Sequence, residues 1–181
     1  MYSEETIEKL ADLVRTSFEL APPYKPIPLA ENLGGDVVKN DTTVIDASVK
    51  KHGAEGFIIN LNPEKYRSDD AQERFTVAHE LGHLFLHMGF LINKKLWESI
   101  NEETYMAYKS EASPKHKTRE ELEADVFAFA FLMPKKEFKQ QISRNRSDDD
   151  DTVNINNIAK HFEVSPKMVL TRAKRLGYVE W

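Results

Sequence analysis

Apolar residues recur at helical spacing near the start of the chain. Ile7, Leu10, Leu13, Val14 and Phe18 predict an amphipathic helix over about residues 4–20, with Ser3 as its cap and Ala21-Pro22-Pro23 as its stop. A short helix or turn is expected around Leu29 to Leu33, ended by Gly34-Gly35. Two strands follow. One lies near Asp36 to Val38 and extends toward Val44; the other is Gly56 to Leu61, closed by Asn62-Pro63. Asp69 to Gln72 open a long helix through Phe75, Val77, Ala78, Leu81, Leu84 and Phe85, with Gly89 as terminator. The stretch from Phe90 to Lys117 carries no clean period and reads as a helix plus a loop. Arg119 to Met133, rich in alanine and phenylalanine and stopped by Pro134, reads as a buried helix. Ser147 and the four aspartates Asp148–Asp151 read as an exposed linker. Ile155 to Gly177 reads as two short helices about a turn at Val164-Ser165-Pro166. The pattern predicts an α+β fold, a small antiparallel sheet with helices. Residues 1–146 form the main domain and residues 147–181 a linker and helical extension packed on it.

With 181 residues, 40% of them apolar, the chain can bury a real core. The net charge of -5 argues against wholesale nucleic-acid binding, though not against a local basic patch. There is no cysteine, so a metal would be held by His, Asp or Glu. The start, Met1-Tyr2-Ser3-Glu4-Glu5, is not a signal peptide, and no apolar run is long enough to span a bilayer. A cytoplasmic protein is expected.

The candidate chemistry sits in the long helix, in His79-Glu80-Leu81-Gly82-His83. Histidines four apart lie on one helical face and can share a divalent ion, usually zinc. Glu80 is turned about 100° from His79. It is poorly placed as a ligand but well placed as the base for a metal-activated water. Gly82 inside a helix costs about 1 kcal/mol relative to alanine, which implies close approach of another backbone. The bland alternative is a solvated His/Glu face, since His-Glu-x-x-His also arises by chance. The strongly apolar surroundings count against it, because buried histidines need partners.

A catalytic zinc needs a third protein ligand. Glu121 and Asp125, four apart in the next helix, divide that work: Glu121 as ligand, Asp125 as hydrogen-bond acceptor for a ligating histidine. Glu120 and Glu123 are rivals for the ligand role; an outward Glu123 would leave Ala124, Phe127, Ala128 and Phe131 as the apolar stripe. His87 lies about 80° from His79 and reads rather as a helix C-terminal histidine. His52, His116 and His161 read as surface residues. Tyr105, Tyr108 and His116 are candidates for stabilising an oxyanion.

The run Arg74-Phe75-Thr76-Val77-Ala78-His79-Glu80-Leu81-Gly82-His83-Leu84-Phe85-Leu86-His87 resembles the ImmA/IrrE metallopeptidases. So does Glu121-x-Glu123-Ala124-Asp125-x-Phe127-Ala128-x-x-x-Leu132-Met133-Pro134. Pro26-Ile27-Pro28, the strand from Gly56 and the end from Val164-Ser165 to Tyr178 extend the likeness over roughly residues 25–178. The resemblance implies a small sheet packed on the motif helix, as in thermolysin-like zinc peptidases, and Zn2+ held by His79, His83 and Glu121. It implies a zinc metallo-endopeptidase of gluzincin type with Glu80 catalytic. It also implies a protein substrate: a helix-turn-helix repressor, or an antitoxin, whose cleavage relieves repression in a phage, mobile element or stress regulon. Asp125 stands where many relatives carry asparagine; either can accept a histidine N–H.

Two further readings belong to other classes. In one, the metal site is structural and the protein acts by holding a repressor, toxin or DNA; an intact Glu80 argues against it. In the other, the tail reads DNA through Lys167, Arg172, Lys174 and Arg175. A helical cap packed on the core, or docking a partner, is the blander reading of that tail and the favoured one.

Overall fold

The computed structural model describes residues 1–40, 46–66, 70–101, 117–147 and 152–178, and 105–108 as backbone. Helix α1 spans Glu4–Ser17, and the Ser3 side chain accepts from the Thr6 N–H at its start. Its buried stripe is Ile7, Ala11, Val14 and Arg15. Leu13 and Phe18, expected on the apolar face, are exposed. The stripe that buries here is rotated, and the cation takes a place on it. Arg15 donates to the carbonyls of Ala130 (2.6 Å) and Phe131 (3.0 Å). Those carbonyls lie in the last turn of another helix, where they have no intrahelical N–H to accept from. Helix α2, Pro26–Asn32, follows, and Gly34 at φ 82° turns the chain out of it.

Four strands form one sheet in the order β1-β3-β2-β4. They are β1 (Gly35–Lys39), β2 (Ala47–His52), β3 (Gly56–Leu61) and β4 (Tyr105–Tyr108). β3 alternates, with Phe57, Ile59 and Leu61 turned inward. The α+β class stands, but the sheet is mixed rather than antiparallel throughout. β2 pairs antiparallel with β3 and β4, whereas β1 runs parallel to β3. The physical reason is β2 itself. It folds back onto β3 through the turn at Gly53, so β1 is left with β3's far edge, two chain reversals away. β3 is therefore interior, with both edges occupied. The predicted extension of the first strand toward Val44 lies outside the described residues.

Helix α3 (Asp70–Leu86) lies against β2; α5 (Arg119–Leu132) lies against α3, and α1 against α5. α3 is thus covered on opposite sides, and every residue from Arg74 to Leu86 is buried. That explains its lack of a polar stripe. A Cβ on Gly82 would stand 3.0 Å from Ala124 Cα and 3.2 Å from the Ala124 carbonyl oxygen. The glycine lets α3 and α5 touch backbone to backbone, the close approach its position predicted. Gly89, at φ 76°, turns the chain away just beyond α3.

The short helix α4 (Lys94–Ser99) falls in the stretch read as helix plus loop. Helix α6 (Lys135–Arg144) was not anticipated. The aspartate run lies outside the described residues. α7 (Ile155–Phe162) and α8 (Pro166–Arg175) flank a turn at Glu163, and the Ser165 side chain caps α8 by accepting from the Met168 N–H. Ile158, Phe162, Val164, Met168 and Val169 join the common core. Two arginines fasten these helices. Arg172 donates to the Met133 carbonyl (3.0 Å) and pairs through both terminal nitrogens with Glu8. Arg74 of α3 donates to the carbonyls of Glu163 (2.5 Å), Phe162 (3.2 Å) and Tyr24 (2.5 Å). Arg172 is 1% exposed, so it is not part of the basic face assigned to α8. Among the described residues no helix is long and apolar enough to cross a membrane.

Candidate metal centre

Helical spacing stacks His79 and His83 one turn apart, with ring centroids 4.8 Å apart. Glu121 enters from the first turn of α5, where Thr118 caps the helix by accepting from the Glu121 N–H. The Gly82–Ala124 contact sets the helix separation that lets one carboxylate reach both imidazoles. The two ring nitrogens and the Glu121 carboxylate form a triangle of donor groups, each imidazole facing a different carboxylate oxygen. His79 Nε2 and His83 Nε2 lie 3.0 Å apart, His83 Nε2 and Glu121 Oε1 3.1 Å, and His79 Nε2 and Glu121 Oε2 3.4 Å. Ligands at about 2.0–2.1 Å from a tetrahedral zinc stand about 3.3 Å from one another. The triangle therefore fits one face of such an ion, and these residues can hold a metal. Both histidines are fully buried; Glu121 is the more open corner.

Glu120 is exposed and turned away. Glu123 is buried rather than outward, and it meets His87 instead of the triangle. Asp125 lies where expected: His79 Nδ1 stands 3.0 Å from Asp125 Oδ1, and Lys117 Nζ donates to Asp125 Oδ2 (2.8 Å). The carboxylate accepts from Nδ1 of His79 and so turns Nε2 toward the triangle, where loss of its proton would leave a bare nitrogen for a metal.

Glu80 is fully buried, and among the described residues neither of its oxygens has a hydrogen-bond partner of ordinary geometry, although the Val49 backbone lies close enough to lower its pKa slightly. Burial pushes its carboxyl up to about 8; the nearby Glu121 charge adds to this and His79 opposes it. Burial alone would lower His79, but its bonds to Asp125 and Glu121 outweigh that and raise it to about 9. Burial takes His83 down to about 4. Glu121 is held well below the carboxylate range, because its bonds to the two histidines overcome the effect of burial. The larger surface clefts lie elsewhere. One of about 680 Å³ is at the α6–α7 junction and one of about 690 Å³ is beside Trp97, so donor geometry rather than cavity size marks this site.

The Peptidase_M78 family model, described as the IrrE N-terminal-like domain, matches residues 30–174. The chain belongs to the IrrE N-terminal-like domain family. No curated protein matches it in sequence. Among solved structures it is similar to a Mycobacterium tuberculosis transcriptional regulator, with TM-score 0.55 and 18% identity over 94% of this chain and 46% of that one. The chain thus spans about half the length of that regulator, and the likeness is one of fold.

In this IrrE-like chain the sequence reading missed Lys117, turned Glu123 outward though it is buried, and did not foresee its contact with His87, which stands just past the end of α3. His83 Nδ1 and His87 Nδ1 are 2.9 Å apart, and His87 Nε2 and Glu123 Oε2 are 3.3 Å apart. The signal was present: His79, His83 and His87 repeat every four residues. His161 pairs with Glu137 away from the site, and His52 is exposed, as expected of both. His116 and the side chains of Tyr105 and Tyr108, the oxyanion candidates, lie outside the described residues.

Proposed function

We propose that the protein is a zinc-dependent endopeptidase in which His79, His83 and Glu121 hold the metal and Glu80 is the general base. The observation that carries this reading is Glu80. A fully buried carboxyl group with no side-chain partner among the described residues, next to a three-donor triangle, is costly in a merely structural site and useful in a catalytic one. Bound zinc would supply Lewis acidity toward an attacking water and the scissile carbonyl. Glu80 takes the proton from that water and delivers it to the leaving amine nitrogen. Asp125, anchored by Lys117, keeps the His79 ring aimed.

The substrate in this reading is a protein: a helix-turn-helix repressor or an antitoxin, cut in the cytoplasm to relieve repression. The family and a fold neighbour that is a transcriptional regulator support a regulatory setting. Strand β3 is interior and offers no edge to an extended substrate. The sheet's outer strand next to β2 is β4, and an extended peptide adds there. The reading as a non-catalytic holder of a partner leaves the buried Glu80 without a purpose.

The test is cleavage of candidate helix-turn-helix partners by the zinc-loaded protein, with fragments mapped by mass spectrometry. Glu80→Gln should lose cleavage by about 10²–10⁴-fold while keeping its zinc. Equal cleavage by Glu80→Gln would sink the assignment of the base.

A further inference from the structure

The His83–His87–Glu123 contacts carry an inference that rests on the metal-site reading above. Glu123 is held in place from two sides: Arg119 Nε donates to its Oε1 (2.9 Å), and so does the Tyr2 backbone N–H (3.2 Å). An ionised carboxylate only accepts. The ring nitrogen facing its other oxygen, His87 Nε2 at 3.3 Å, must therefore carry a proton. A neutral His87 then has a bare Nδ1. That bare nitrogen stands 2.9 Å from His83 Nδ1, so the proton between them belongs to His83. With Nδ1 protonated, His83 presents a bare Nε2 to Glu121 and His79. The opposite tautomer sets a lone pair of His87 against the Glu123 carboxylate and a proton of His83 inside the triangle. The arrangement does for His83, through an intervening imidazole, what Asp125 does directly for His79.

We propose that His87 is a positioning residue, which with Glu123 fixes the tautomer and aim of His83 for the metal. It is not a ligand: its Nδ1 faces His83 and its Nε2 faces Glu123, so neither nitrogen is turned to the triangle. Its side chain is 7% exposed and that of Glu123 9%, so water does not readily replace either partner.

The experiment is zinc affinity, by competition with a chelator, for the full chain and its variants. The ligand-field spectrum of the cobalt-loaded protein is the second readout. His87→Phe keeps a ring in place but removes the acceptor, and should weaken zinc binding by about 10–100-fold and alter the cobalt spectrum. His87→Gln, whose amide can accept from His83 and donate to Glu123, should stay within a few-fold of wild type. A purely space-filling role gives the reverse order, with phenylalanine the better replacement. Wild-type affinity and an unchanged spectrum in His87→Phe overturn this inference alone; a wild type that binds no zinc overturns the metal-site reading with it. Should His87→Phe fail to fold, Glu123→Leu removes the far anchor and leaves the His83–His87 contact. It should weaken zinc binding in the same range, and unchanged affinity there overturns the inference equally.

Discussion

At the scale of single residues, burial sets the chemistry. His79, Glu80 and His83 lie in a helix buried on every side, so each must be paired, metal-bound or held at a cost. The asymmetry between the histidines gives a pH prediction. His83, lowered to about 4, is uncharged throughout the neutral range, whereas His79, raised to about 9, is cationic and carries a second ring proton in the metal-free protein. Zinc must displace that proton, and its charge also favours the ionised form of Glu80, raised to about 8 without metal. Affinity should therefore rise by at least about tenfold per pH unit from pH 6 and flatten above the His79 value. Chelator competition across this range checks it, and a flat profile would contradict the pairing of His79 with Asp125. That pairing gives a second prediction. Asp125→Ala should lose about 10–100-fold in zinc affinity, while Asp125→Asn, still an acceptor, should lose far less. The grouping of His79, His83 and Glu121 was legible in the sequence because helical spacing fixes angles between neighbours. His87, Glu123 and Lys117 were not, because a charged side chain reads as solvated until its partners from other elements are known.

At the scale of elements, the site depends on how closely α3 meets α5. Gly82→Ala sets two effects against each other. Alanine gains about 1 kcal/mol in helix propensity, but the new Cβ stands 3.0 Å from a backbone carbon that cannot yield easily. Overpacking of this kind costs about 1–3 kcal/mol. The net expectation is a loss of about 1 kcal/mol in stability, together with weaker zinc binding as the helices part; chemical denaturation and chelator competition measure the two. α3, α5 and the tail helices were legible from period, glycine and proline. β2 was not. Ala47-Ser48-Val49-Lys50-Lys51-His52 has no apolar alternation, because Lys51 turns inward and donates to the carbonyls of Trp97 and Ile100. Without β2, the parallel pairing of β1 with β3 could not be foreseen. The polar sequence of α6 buries only Phe138, Gln141 and Ile142, too few to show a period.

At the scale of the whole molecule, three buried arginines join segments far apart in the chain: Arg15 to α5, Arg74 to the α7–α8 turn, and Arg172 to α1 and the end of α5. Of the three, the sequence reading assigned a place only to Arg172, on a basic face of the tail. Arg172→Leu should destabilise the protein by about 3 kcal/mol, since it leaves Glu8 and the Met133 carbonyl without their partner. Thermal unfolding should remain one cooperative transition at a lower midpoint. A separate early transition for the tail would show that α7 and α8 do not share the core. Because α3, α5 and the tail are fastened together, the metal triangle is set by the whole fold rather than by a loop.

The most direct test of the central claim is the zinc content of the purified full chain after zinc is supplied, with Glu121→Ala alongside. One zinc per chain in the wild type and its loss in Glu121→Ala is the expected result. A wild type that takes up no zinc, or a Glu121→Ala variant that keeps a full equivalent with unchanged affinity, would contradict the three-donor centre and the peptidase built on it.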